Sequence, residues 1–408
     1  MSNPNFENKF NVGGVLLNQP FKIRRLGHFG FNLINMEEGI RFYRDLLGFR
    51  VSDVIDHAER AKGNELAGLS NTKSYFTRYG TDHHAMVLFN QRAREALGRP
   101  GQAGITINQI TWQVGSLAEV GNGIGWFRDR GVKQQRSGRD MPGSNWHTYL
   151  FDPDGHSNEI YYGIEQIGWN GHSKPRKMYH IGFDEPPPLP QISEFRETEN
   201  ALAQGIDLTS GYRQVEPLPE RYDVDGILLP RPFKIVRMGP VYLFVKDLEL
   251  ASAFYRDTLG FHLTEEATWR GQRCLFFRCN TEHHSLALFP LALRDILGMS
   301  PHSTSAALGL QLANYRQLKD AVKFFQDQGC KESEAVPLAL HPGVDHAVHL
   351  FDPDGHCIQI YCAMEQVGWD GKPRPRELRK PKPISEWPET LDESADAFAG
   401  EPFLGPWG

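Results

Sequence analysis

Two stretches of this chain place an imidazole and a carboxylate where they could share a metal ion. FDPDGHSNEIYY (151–162) puts Glu159 on an alternating apolar run behind a tight Asp-Pro-Asp-Gly turn. RRLGHFGFNL (24–33) puts His28 in a second such run, and the helical segment MEEGIRFYRDLLGF (36–49) follows it. A histidine and a carboxylate on neighbouring strands are two of the three ligands of a facial metal site, which leaves adjacent positions open for a substrate.

The elements that must position these residues occur more than once. VLLNQPFKI (15–23) returns as ILLPRPFKI (227–235), FYRDLLGF (42–49) as FYRDTLGF (254–261), and TDHHAMVLF (81–89) as TEHHSLALF (281–289). FDPDGH (151–156) recurs unchanged at 351–356, and IEQIGWNG (164–171) as MEQVGWDG (364–371). The spacing between copies shortens between residues 49 and 81, so the first copy carries about twelve extra residues there. They are read either as a surface insertion or as a lid over a site in that copy alone.

A smaller unit appears twice within each copy. After the first strand, Ile40, Phe42, Tyr43, Leu46 and Leu47 keep helical spacing and Gly48 stops the helix. SYFTRYG and HHAMVLFN then read as strands from their β-branched and aromatic content. The second unit opens with ITINQITWQV (105–114), continues through the helical SLAEVGNGIGWFRDRG and ends in NWHTYLFDPDGHSNEIYY. Each unit is therefore read as βαβββ, and two per copy would form one curved sheet around a hollow. The expected class is α+β, with four βαβββ units paired into two half-open barrel domains. The divisions are an N-terminal extension (1–20), a first domain (21–165), a linker containing EPPPLP (166–226), a second domain (227–371) and a Pro- and charge-rich tail (372–408) that wraps or docks on a neighbour.

Composition narrows the function classes. The 408 residues are 40% hydrophobic and 23% charged, as in ordinary globular proteins, with net charge −6. Nothing draws the chain toward nucleic acid or an anionic membrane. No apolar run approaches the ~18 residues of a membrane-spanning helix, and MSNPNFENKF lacks a signal-peptide pattern. The five cysteines, 274, 279, 330, 357 and 362, are odd in number and confined to the second half. They are not a disulfide framework and fit a reducing, cytoplasmic setting. GNGIG (121–125) interrupts a helix rather than following a strand, so it is not a dinucleotide loop. HPGVDHAVH (341–349) reads as satisfied or exposed histidines.

Four βαβββ units, FYRD-LGF after the first strand, DHH before an apolar strand and DPDGH-x-x-E-I-Y at the end resemble the vicinal oxygen chelate superfamily. Within it the chain looks most like the type I extradiol ring-cleavage dioxygenases, over most of 21–165 and again 233–365. The resemblance implies a metal held by a His on the first strand of one unit, a His on the first strand of the next and a Glu on the last strand. By position these are His28, Gln109 and Glu159, so the second ligand departs from the family pattern. Gln109 is either a neutral oxygen ligand or a side chain that hydrogen-bonds across a hollow that has lost its metal. The family's acid/base His matches His84, with His83 expected on the opposite face by strand alternation. Its active-site Tyr matches Tyr149, and a further family His falls on Asp140, a second departure whose lost role His147 partly fills. Gly30 would leave space beside the metal, and Tyr161 either lines the pocket or packs in the core. In the second copy Pro240, Gly309 and Gln359 stand at the ligand positions, so that copy is expected to be structural or dimer-forming.

The implied activity is extradiol cleavage of a catechol-like aromatic diol by O2 on Fe(II), with Mn(II) as the alternative metal. Rival readings are a non-redox isomerase, epimerase or lyase, favoured by Gln109, and a metal-free binding protein. Dimers or larger homo-oligomers are expected on general grounds.

Overall fold

The computed structural model describes residues 9–99, 101, 104–139, 142–178, 181–182, 188–333, 335–367, 370–379 and 381–391. Each copy builds one mixed sheet with helices on its outer face, an α+β architecture. In the first copy the strands run from edge to edge as Ile181–Gly182, Gln134–Arg139, Trp146–Phe151, Ser157–Tyr162, Ile107–Gln113, Arg25–Leu33, Met86–Asn90, Lys73–Arg78 and Arg50–Asp56. The order in the second is His262–Trp269, Gln272–Arg278, Leu286–Pro290, Ile235–Val245, Ser305–Leu312, Cys357–Tyr361 and Ala347–Phe351.

The first strands of the two units pair antiparallel at the centre of each sheet, while first and last strands within a unit pair parallel. In the first copy this register aligns one row of side chains. His28 stands opposite Thr111, Thr111 opposite Glu159, and Glu159 opposite Tyr149. Because side chains alternate along a strand, all four point to the same face, into the hollow.

The helix after the first strand begins at Met36–Ile40 and widens into a π-helical turn over Arg41–Leu46. Tyr43 is fully buried there, and Gly48 turns the chain at φ +90°, a conformation side chains disfavour. The second unit's helix, Leu117–Asp129, starts at Ser116, whose hydroxyl accepts the Glu119 amide. Its Gly123 lies so close to Ile160 that a Cβ would stand 2.5 Å from that side chain, which explains a glycine in mid-helix.

One feature departs from the expected pattern and two add to it. In the second copy no strand among the described residues matches Gln134–Arg139, so its last unit is βαββ. The linker contains a helix, Glu194–Ala203, tied to the first sheet by the Arg139–Glu197 ion pair. Of EPPPLP, residues 185–187 lie outside the described residues. The described part of the tail docks on its own second copy: Arg374 pairs with Asp345 at 2.9 Å, and the Tyr315 hydroxyl donates to Pro388 O at 2.7 Å.

The two sheets share one hydrophobic cluster, in which Trp112 meets Phe261 edge-on at 4.8 Å. The extra residues of the first copy form the connection 57–72, where the second copy has the tight Arg270–Gly271 turn. A short 3-10 turn, His57–Arg60, opens this connection, and His57 is buried with its Nε2 2.8 Å from Ser74 Oγ. No helix of the described residues is long and apolar enough to cross a membrane.

Candidate metal centre

Glu159 has no exposure and His28 1%, and His28 Nε2 lies 3.2 Å from Glu159 Oε2. An isolated buried carboxylate would be costly, so its other lone pairs must be satisfied. Thr111 Oγ1 donates to Oε2 at 2.8 Å and Asn145 Nδ2 to Oε1 at 2.7 Å. His147 Nδ1 stands 3.7 Å from Oε1 while donating to Asn145 O at 3.0 Å. Burial alone would raise the Glu159 carboxyl, but the neighbouring His28 imidazole, its hydrogen bond, His147 and Thr111 hold it down at about 2. Glu159 is thus ionised at neutral pH. Burial lowers His147 to about 4, against the pull of Glu159.

Gln109 stands one cross-strand step along the same face, opposite Gly30. Its Oε1 is turned toward the Tyr149 hydroxyl, a long contact of 3.5 Å, rather than toward His28 and Glu159. A Cβ on Gly30 would stand 3.3 Å from Gln109 Cγ, so the room left by this glycine is taken up by the Gln109 side chain. Tyr149 is buried and its phenol is pushed well above its ordinary range by burial and by Glu159.

His84 packs its ring 4.3 Å from that of His28. Burial, with His28 and His83 beside it, lowers its pKa well below the ordinary value, so His84 is neutral. His83 does not point to the opposite face as alternation predicts: the two Nδ1 atoms are 3.0 Å apart. Residues 83–85 precede the strand Met86–Asn90 in an irregular bend, where the two-residue period does not apply. Gly143, at φ +96°, backs both rings, and a Cβ there would come within 2.6 Å of His84. Tyr161 packs 5.0 Å from His28 as a fully buried ring. Asp140 lies outside the described residues.

The second copy fills the equivalent hollow with side chains. Tyr242, at the repeat position of Gly30, donates to Gln359 Oε1 at 3.1 Å and meets His284 Nε2 at 2.9 Å. Gln359 also bonds His349 Nε2 at 3.1 Å. A Cβ on Gly309 would collide with Gly239 O at 2.4 Å, so no side chain enters at that position.

Above the buried row of the first copy a cavity of about 410 Å³ opens, with Gln109 and Tyr149 in its wall beside Asn32, His57, Phe89 and Arg136. The sequence reading missed Thr111 and Asn145, which fix Glu159. Thr111 was within reach, since it shares the Gln109 face of its strand; Asn145 lies before a strand, where no periodicity marks it.

Among the described residues no three His, Cys, Asp or Glu side chains gather around one point. A divalent ion would therefore need an amide, or water, beside His28 and Glu159. Two ligands bonded at roughly 2.1 Å and at right angles stand about 3 Å apart, and the His28–Glu159 separation of 3.2 Å fits that spacing. The ionised Glu159 carboxylate and the His28 imidazole thus supply one anionic and one nitrogen donor at the spacing a shared ion needs.

The model of the Glyoxalase/Bleomycin resistance protein/Dioxygenase superfamily matches residues 25–160 and 237–360. Metapyrocatechase 2 of Cupriavidus necator is 28% identical over 158 residues, 38% of this chain and 42% of that protein. The 2,2',3-trihydroxybiphenyl dioxygenase of Sphingomonas paucimobilis is 35% identical over 68 residues, 17% of this chain and 23% of that one. The chain thus spans less than half the length of these curated relatives. BphC, a halotolerant catechol dioxygenase, superposes with TM-score 0.53 and 15% identity over 86% of this chain and 91% of that chain. A Mn(II)-bound glyoxalase from Novosphingobium aromaticivorans gives TM-score 0.51 and 14% identity over 86% and 85%. These two likenesses concern the fold.

Proposed function

The chain belongs to the glyoxalase/bleomycin resistance protein/dioxygenase superfamily, and on that premise we propose that its N-terminal copy is an extradiol-type ring-cleaving dioxygenase. Its substrate is a catechol-like aromatic diol, its co-substrate O2, and its metal Fe(II), with Mn(II) as the alternative. The observation that carries this reading is the buried His28–Glu159 pair beneath a cavity walled by Gln109 and Tyr149.

His28 and Glu159 would hold the metal, with Gln109 as the third donor. The bound metal supplies electron exchange between the diol and O2. The protein's own residues do the rest. His84, kept neutral by burial, accepts a proton from a diol hydroxyl. Tyr149 stays a phenol and donates a hydrogen bond to the ligand. Thr111 and Asn145 orient Glu159, and His147 supports it from the side. The second copy, plugged by Tyr242, is structural. The five cysteines are all free and suit a reducing, cytoplasmic setting.

The test is incubation of the Fe(II)-supplemented protein with a panel of catechols, with and without oxygen. One O2 consumed per diol, with a yellow ring-fission product, is the expected result. Turnover that continues without oxygen would favour a non-redox isomerase or lyase, the reading that the neutral oxygen donor Gln109 supports. Absence of metal after purification without chelators, together with no uptake of added metal, would leave a binding protein.

A further inference from the structure

Four arginines, Arg60, Arg94, Arg99 and Arg136, line the cavity above the candidate centre, and none of the described residues lining it is acidic. In a chain of net charge −6, such a local excess of cation is not a sample of the average surface. The four come from three separate segments: the connection 57–72, the helix Gln91–Ala96 with the turn after it, and the strand Gln134–Arg139. Resting on the ring-cleavage reading above, we propose that this cavity selects aromatic diols that carry a carboxylate, with Arg94 as the anchor for the anionic group.

Arg94 is half-buried, with Nη1 3.0 Å from Asn32 Oδ1 and its guanidinium 5.3 Å from the centre of the Phe89 ring. Both contacts orient the group without neutralising it. Burial lowers its pKa with no carboxylate to offset the cost, so a desolvated cation awaits an anion. Arg60 and Arg99 stand exposed at the rim, and together with Arg94 they depress the buried His57 beyond the effect of burial itself. Arg136 lies over the Tyr149 ring at 4.6 Å, on the opposite wall. A carboxylate ligand meets guanidinium in a two-pronged geometry that a neutral diol cannot offer. The extra residues of the first copy acquire a role in this arrangement, since they bring His57 and Arg60 to the cavity and the second copy has no counterpart.

The test uses the full chain, supplemented with Fe(II) and held without oxygen, titrated calorimetrically with catechol, 3,4-dihydroxybenzoate and benzoate. The expected result is 3,4-dihydroxybenzoate binding at least about tenfold more tightly than catechol. That advantage collapses in Arg94→Gln, shrinks in Arg99→Gln and at high salt, and survives in Arg92→Gln on the same helix. Arg99→Gln covers the case in which Arg94→Gln disturbs the helix, because Arg99 is exposed. Equal binding of the two diols, or an advantage that survives both substitutions, overturns the inference. The two readings fail separately: oxygen uptake with catechol that no carboxylate improves sinks this one alone. Benzoate binding that depends on Arg94, in a protein that oxidises no diol, sinks ring cleavage and leaves the anion site standing.

Discussion

Tyr43 of the first copy donates its hydroxyl to Asp352 of the second at 2.9 Å, and the repeat mirrors the bond, with Tyr255 donating to Asp152 at 3.0 Å. The tyrosine of each FYRD segment thus reads the DPDGH turn of the other copy, and each aspartate also holds the histidine four residues on, His156 or His356. The motif shared with the superfamily serves here to join copies. Tyr43→Phe leaves a buried carboxylate one donor short, which costs about 1.5–3 kcal/mol for a charge-assisted bond. Urea denaturation is expected to show that loss in Tyr43→Phe and in Tyr255→Phe. A single shared transition in both variants checks that the copies unfold together.

Glu159 is the fixed end of the candidate centre, so Glu159→Ala is expected to abolish metal content and turnover together. Gln359→Ala, at the matching position of the second copy, is expected to change neither. Metal analysis after desalting reads both variants, and unchanged metal in Glu159→Ala removes the site. Stability falls in the same variant because Thr111 and Asn145 lose a shared acceptor, by about 1–3 kcal/mol.

Gln109→His places an imidazole where a neutral amide stands. Nitrogen donors bind Fe(II) more strongly than amide oxygen, so affinity is expected to rise by about tenfold or more. A competition titration with a chromogenic chelator measures it. No change in affinity would mean that residue 109 is not a ligand and that its contact with Tyr149 is its whole role.

The βαβββ units were legible from alternation along strands, a helix closed by Gly48 and the repeat of most elements. His28 and Glu159 were expected on neighbouring strands, but Ile107–Gln113 lies between theirs and its small Thr111 lets the two side chains meet across it. His83 escaped because alternation holds only inside a strand, and the bend before Met86 breaks it. The missing strand of the second copy escaped because the segment after the helix Tyr315–Asp327 offers too little apolar alternation to decide between strand and coil. The four arginines converge on one cavity only through tertiary structure, and no periodicity links Arg60 to Arg136.

Gly30 and Tyr242 occupy the same repeat position, and the difference decides which hollow stays open. Gly30→Ala puts a Cβ 3.3 Å from Gln109 Cγ, Asn108 Cβ and Val87 O. The backbone oxygen cannot withdraw easily, so Gln109 is displaced. Metal affinity is expected to fall by about tenfold, with the melting temperature lowered by only a few degrees. Circular dichroism and metal titration on the same sample separate the two effects. A variant that keeps full affinity would show that the space at Gly30 does not matter to the centre.

Glu265 clips the tail to the second copy, and acid should release it. Its carboxylate meets Arg379 Nη1 at 2.7 Å, Arg376 Nε at 2.7 Å and His283 Nε2 at 3.0 Å, while its side chain is only 9% exposed. Burial would raise its pKa, but His283 and Arg379 pull it from 4.5 down to about 2. The sign follows from linkage. A carboxyl depressed in the folded state contributes stability that is complete above its unfolded value, and that stability is lost as pH falls through the folded one. The window is therefore roughly pH 4.5 down to 2, and the amount is on the order of 2–3 kcal/mol. Glu265→Gln is expected to be less stable than the wild type at pH 7 and to converge with it near pH 2. Because the contact holds residues 376–379, the variant should also expose the tail to limited proteolysis at neutral pH. Urea midpoints measured across that range, beside a protease time course, decide it. A constant difference between the two proteins at every pH would mean that the carboxylate's charge contributes nothing and the tail is held by its other contacts, among them Arg374 with Asp345, Arg379 with Glu365 and Tyr315 with Pro388.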